Sequence, residues 1–389
     1  MNMEVDVLSR EIIRPSSPAV LRLKPFKLTL LDQITPTTYG PLVLFYPKSH
    51  TNRSKGLQIL PAQLKKSLSK TLDHFYPFSG RTQRNLFIDH YDEGVPYYEA
   101  RVNCRMHDFL QNPETEALNH FLPCCPFSKE PNPEEAAQVA VQVNIFDCGG
   151  IAIGVCMSHK ITDGSTMSVF FKSWAAAAAG HCNKLTLPDF SGSSRSSARF
   201  PPQDRLLTPI HLSIMESLWF KEAKYKTRRF VMGKKSIATL RAKAKTCEYN
   251  PMDKEMEFCG MVEAIKESVE KINSDYLRNV EGDKGLSAIR GQLYPMAPLV
   301  LFSKAEIFAF TSWLTFGLED LDFGWGKPIW VGAMGGVGPA FRELIIFTKS
   351  NGVNAIEAWV TLKEKEMAVL EDDPEFLAFA AKNPCILIS

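Results

Sequence analysis

A chain of 389 residues with 45% hydrophobic side chains can bury substantial cores, and its length suggests roughly two to three domains. Lys plus Arg (45) nearly balances Asp plus Glu (43), and a net charge of +2 excludes the broad electrostatic footprint that nucleic acid or an anionic membrane would require. The nine cysteines form no CxxC pair and show no His-Cys ligand spacing, so neither a metal site nor a disulfide framework is indicated.

Met1 to Val20 carries Glu4, Asp6 and Glu11 and no apolar stretch of signal-peptide length, which with reduced thiols favours the cytoplasm. Leu42 to Tyr46, ending at Pro47, reads as a strand. A helix follows, with Pro61 in its first turn and Leu60, Leu64, Leu68, Leu72 and Phe75 on one face until Pro77 and Gly80 close it. Phe87 to His90, Tyr97 to Val102 and Val139 to Phe146 are further strand candidates. Gly150 to Ser158 is a short apolar run bounded by glycine and reads as a central strand. Directly after it come His159-Lys160-Ile161-Thr162-Asp163 and Gly164, then Met167, Phe170, Phe171, Trp174 and Ala178 at helical spacing.

His159 therefore lies in a strand-to-helix connection, where a rigid scaffold presents side chains to a cleft. A histidine so placed titrates near neutral pH and can take a proton from a substrate hydroxyl or thiol. The bland reading is a satisfied structural histidine, and the local pattern leaves both open. None of the other histidines has an aspartate four residues on.

Ser191 to Pro202 is rich in Ser, Gly, Arg and Pro and reads as a linker at a domain boundary. Beyond it, Thr227 to Met232 reads as a strand, and Lys234 to Lys245 as a basic helix with Ile237, Leu240 and Ala244 inward. Met261, Val262, Ile265, Val269, Ile272 and Tyr276 stripe a longer helix through Leu277. Later strands are expected around Ile329 to Gly332, Leu344 to Thr348 and Ala355 to Leu362. The pattern is mixed α/β, with hairpins rather than regular βαβ repeats.

Two widely separated motifs, His159 to Asp163 (HxxxD) and Asp322-Phe323-Gly324-Trp325-Gly326 (DFGWG), are the residues on which the chain resembles the plant BAHD acyltransferases. Leu30-Leu31-Asp32-Gln33, His74 to Arg81, Asp92 to Val102, Phe146 to Gly150 and Ile356-Glu357-Ala358-Trp359 extend the likeness over nearly the whole chain. Ile12 to Pro18 and Leu44-Phe45-Tyr46-Pro47 resemble the alkaloid-acetylating, vinorine synthase-like branch. The resemblance implies two α/β domains of mixed sheet flanked by helices, similar to chloramphenicol acetyltransferase. Residues 1–187 would carry HxxxD, 188–212 would be a crossover linker, and 213–389 would carry DFGWG. A channel between the domains would admit an acyl-CoA, acetyl-CoA for this branch, and a small hydroxylated acceptor. The implied protein is a monomer with no bound cofactor.

In that reading His159 is the general base, the attacked carbonyl oxygen needs preorganised donors, and no acyl-enzyme forms. Thr311 and Trp313 match a segment that borders the reaction centre, so Trp313 is either an oxyanion or acceptor contact or a core tryptophan. The resemblance makes Asp163 structural, paired with an arginine that shapes the loop, and Gly164 a residue that relaxes the turn. Asp322, Phe323, Gly324, Trp325 and Gly326 are read as architecture. Arg228, Arg229, Lys234 and Lys235 are either coenzyme A phosphate contacts or a solvated helix face. A serine or cysteine hydrolase is disfavoured, since no GxSxG elbow is present and Cys156 falls inside a strand.

The chain departs from the family near 246–256, where a gap of about fifty to eighty residues shortens the second domain. Such a loss should expose apolar surface or force repacking, and should remove the arginine expected beside Asp163. A weakened enzyme, a silent paralogue that binds a ligand or partner, and a truncated product are the three readings it leaves.

Overall fold

The computed structural model describes residues 3–48, 59–127, 135–181, 187–188, 190, 193–204, 214–218, 220–245, 258–302, 306–338, 340–350 and 354–386. Its larger strands, in chain order, are β1 (Val5–Ile13), β2 (Tyr39–Tyr46), β3 (Val95–Val102), β4 (Val139–Phe146), β5 (Ile151–Ser158), β6 (Tyr225–Met232), β7 (Phe308–Ser312), β8 (Trp330–Gly332), β9 (Glu343–Lys349), β10 (Ile356–Lys363) and β11 (Ala381–Lys382). The helices that matter here are α1 (Ile59–Leu72), α2 (Gly164–Ala178), α3 (Lys234–Lys245), α4 (Phe258–Glu270) and α5 (Gly285–Leu293). The sequence-based strands and helices match these within a few residues.

The first sheet runs β1-β3-β4-β5-β2-β8 and is antiparallel except for the parallel pair β3–β4. β5 is buried along its whole length because both faces are covered. Ile151, Ile153, Val155 and Met157 point into a core closed by Leu64, Leu68 and Leu72 of α1 and Phe170, Phe171 and Trp174 of α2. The alternate residues Ala152 and Cys156 face a second core, which holds Phe45, Phe121 and Trp330.

The second sheet runs β7-β9-β10-β6-β11, with β7 parallel to β9. A strand from the second half, β8, leaves this region and pairs with β2 in the first sheet, Trp330 opposite Phe45. Trp330 also stacks on Trp359 of β10 at 5.7 Å, so one residue joins the two sheets. Its indole N–H donates to Glu357 Oε2 at 3.2 Å, and Glu357 Oε1 takes Arg229 NH1 at 3.0 Å. Burial pushes the Glu357 carboxyl up and the Arg229 guanidinium down, and their mutual attraction opposes both shifts.

Four expectations need correction. Ser193–Arg199 inside the proposed linker is a short helix. The long helix expected through Leu277 breaks after Glu270, and Asn273 caps a new one, its Oδ1 accepting from Asp275 N and Tyr276 N at 2.9 and 3.1 Å. Arg228 and Arg229, on the expected strand, form no solvated helix face, and both are engaged: Arg228 with Glu371 and Glu116, Arg229 with Glu357. Cys259 is disulfide-bonded, while Cys104, Cys124, Cys148, Cys156 and Cys385 are free.

The expected exposure of apolar surface is present. Met261, Ile265, Val269 and Ile272 are 47, 62, 67 and 62% exposed. No helix among the described residues is long and apolar enough to cross a membrane.

Candidate active site

β5 ends at Ser158, and the main-chain N–H of His159 donates to the Thr38 carbonyl at 2.8 Å, so the turn leaves the sheet at a fixed point. A cavity of about 360 Å³ opens there. His159, Asp163 and Gly164 reach it from the first half, and Thr311, Trp313 and Arg342 from the second. Met157, Met167, Phe316, Leu344 and Ile346 supply apolar wall.

Solvent reaches the His159 side chain through the cavity, yet protein surrounds it on its other sides. That burial is the main reason its imidazole is held below the ordinary histidine range. A hydrogen bond from the ring to its own main-chain carbonyl raises it, the Arg342 cation lowers it, and the Asp163 carboxylate raises it. The next residue, Lys160, is buried and lowered to about 8 by desolvation, with Asp32 opposing.

Asp163 is exposed and caps α2, its Oδ1 accepting from Thr166 N at 2.7 Å. Among the described residues no arginine or lysine lies within ion-pairing distance of it. The cost of a buried, unpaired carboxylate does not arise, because the helix N-terminus and solvent take the place of the expected arginine.

Gly164 does not relax a turn. It has ordinary helical backbone, and a Cβ there would lie 2.1 Å from the Phe316 ring, so glycine admits a close approach between the halves. Trp313 packs against both principal cores while lining the cavity, and its main-chain N–H donates to Phe347 O at 2.8 Å.

Asp322, Phe323, Gly324, Trp325 and Gly326 line no part of the cavity. Asp322 Oδ1 accepts the N–H groups of Gly324 and Gly326 at 2.7 and 2.9 Å, and both glycines are left-handed, at φ 103 and 111°. Phe323 is fully buried and meets Trp174 edge-on at 5.1 Å, while Tyr46 donates to Leu321 O at 2.9 Å.

Arg342 was not singled out from the sequence. It is partly buried, its NH1 donates to Leu218 O at 3.1 Å, and burial lowers its guanidinium. Nothing local distinguishes it from other arginines at the start of a strand. The fold brings it to the same cavity as His159.

The family model described as the Transferase family matches residues 3–252 and 252–377. The chain belongs to the BAHD acyltransferase family. It is 30% identical to akuammiline synthase 2 of Alstonia scholaris over 456 aligned positions, covering 99% of this chain and 98% of that protein. It is 31% identical to a limonoid 7-O-acetyltransferase of Citrus sinensis, covering 99 and 100%, and 30% identical to vinorine synthase of Rauvolfia serpentina, covering 95 and 97%. The crystal structure of vinorine synthase matches with a TM-score of 0.73 at 28% identity, over 98% of this chain and 99% of that one. The fold is shared with TRI101 of F. sporotrichioides complexed with coenzyme A and T-2, at a TM-score of 0.65 and 16% identity, over 92 and 100%. The alignment with akuammiline synthase 2 is longer than this chain, and the family match divides at residue 252.

Proposed function

We propose that this acyltransferase moves an acetyl group from acetyl-CoA to a hydroxyl of a plant specialised metabolite of alkaloid-like character, with His159 as general base. The observation that carries the reading is a single cavity shared by His159 from the first half and Thr311, Trp313 and Arg342 from the second. The stemmadenine and limonoid O-acetyltransferases among its relatives support acetyl as the group transferred.

A hydroxyl is a poor nucleophile until a base takes its proton. His159 Nε2 removes that proton as the acceptor oxygen attacks the thioester carbonyl, giving a tetrahedral oxyanion. Trp313, Thr311 and Thr162 are neutral donors that line the cavity, and the Arg342 cation favours the negative charge as it develops. Collapse breaks the carbon–sulfur bond, and the imidazolium returns its proton to the departing thiolate. No acyl-enzyme forms. Asp163 and the Asp322 to Gly326 loop hold the framework.

A second cavity of about 500 Å³ includes Leu314, next in the chain to Trp313, and is lined by Lys234 and Arg241 and by Lys349, whose ammonium pairs with Glu319 at 2.6 Å. Its positive lining supports placing the coenzyme A phosphates there, with the thioester directed toward His159. Lys234 thereby keeps the phosphate role that Arg228 and Arg229 lose.

Acetyl transfer from acetyl-CoA to a panel of alkaloid and terpenoid alcohols should be abolished in His159→Ala. The double variant Lys234→Glu, Arg241→Glu should raise KM for acetyl-CoA and leave acceptor KM in place. Undiminished transfer by His159→Ala would remove the base assignment. A second reading, a family member that binds without turnover, draws on the shortened second half. Saturable turnover that depends on His159 excludes it.

A further inference from the structure

The stretch from His159 to Asp163 contains a lysine that acyl transfer leaves without a task. Lys160 is only 5% exposed, and its ammonium donates to the main-chain oxygens of Asp32 at 3.3 Å and Thr35 at 2.8 Å and to Asn85 Oδ1 at 2.8 Å. An ammonium has three donors and no acceptor, so three converging oxygens satisfy it. A buried cation is tolerated only when it is so bonded.

The acceptors are themselves held. Asn85, in a left-handed turn at φ 55°, donates Nδ2 to Gln33 O at 3.1 Å and receives Gln33 Nε2 on its own carbonyl at 2.8 Å. Gln33 Nε2 also reaches Gln203 O at 3.1 Å, and Gln33 Oε1 accepts Gln203 N at 2.8 Å. Asp32 closes a capping box with Thr29. One polar network thus ties the loop after β5 to the Leu30 to Gln33 segment, the turn at Asn85 and the stretch around Gln203 that leads to the second half. His159 and Lys160 grip the same 35–38 stretch, His159 by its main-chain N–H on Thr38 and Lys160 by its side chain on Thr35.

We propose that Lys160 is a positioning residue for acyl transfer: its three hydrogen bonds fix the backbone from which the His159 imidazole projects into the cavity. The inference rests on His159 being the base. A base must stand within about 3 Å of the proton it removes, and a displacement of roughly 1 Å costs on the order of 10²-fold in rate.

Lys160→Met keeps most of the unbranched side chain, one atom shorter, and removes the donors. With folding verified by circular dichroism and acetyl-CoA affinity by calorimetry, kcat should fall about 10²-fold while KM for acetyl-CoA stays within about twofold. Asn85→Ala removes one acceptor and should lower kcat less. It is the deciding variant if Lys160→Met does not fold. The His159 ring resonances, followed by NMR through a pH titration, should move in either variant. A folded variant whose kcat is unchanged, or whose His159 titration superimposes on the parent's, overturns the proposal. A parent chain without turnover defeats the transfer reading instead, and the NMR comparison still scores the hold of Lys160 on the ring.

Discussion

At the scale of single residues, the proposed base, His159, is tuned from both halves of the chain. Burial and the Arg342 cation lower the His159 imidazole, and its own carbonyl and Asp163 raise it. The competent form is the neutral ring, so a lowered value keeps the base available further into acid. The acid limb of kcat/KM should therefore have its midpoint below the ordinary histidine value of about 6.5. Arg342→Gln removes the repelling charge and should move the limb to higher pH, whereas Asp163→Asn should move it lower. A pH-rate profile that Arg342→Gln leaves in place would contradict this account. His159 and Asp163 were legible in the sequence because their relation is local, a strand end followed by a helix cap. Arg342 was not, since its role depends on a neighbour 183 positions away that only the fold supplies.

At the scale of elements, α2 carries the site on its first turn. Asp163 caps it, and Gly164 lets that turn approach Phe316. Gly164→Ala improves helix propensity by about 1 kcal/mol, yet its Cβ would overlap the end of the Phe316 ring, which lines the cavity. The ring must swing, and its room to move is the cavity itself. The expected outcome is a folded enzyme with KM for the acceptor raised several-fold and KM for acetyl-CoA little changed. Equal acceptor KM in variant and parent would show that the ring yields elsewhere. The strand β7 escaped the sequence reading because its inward residues are Ala309 and Thr311, while Phe308 and Phe310 face out at 47 and 64% exposure. Such a pattern carries no hydrophobic alternation toward a core. The break after Glu270 was missed for a related reason, since the apolar stripe continues through it and only the Asn273 cap marks the stop.

At the scale of the molecule, the two sheets share Trp330, and α4 turns the apolar side chains of Met261, Ile265 and Val269 toward solvent. Ile265→Lys together with Val269→Lys should raise soluble yield and lower binding of a hydrophobic dye, with kcat and both KM values unchanged, because neither residue touches either cavity. Lost activity in that variant would tie α4 to the site.

The sequence by itself determined the central strand, α1, α2 and α3, the family, and the nomination of His159, all from short-range periodicity and compact motifs. Only the tertiary structure decided that Asp163 caps a helix, that Arg342 shares a cavity with His159, and that Lys160 meets three oxygens. Lys160 and its partners Asn85, Thr35 and Asp32 stand 75, 125 and 128 positions apart, and hydrogen bonds across such separations leave no periodic trace in the chain.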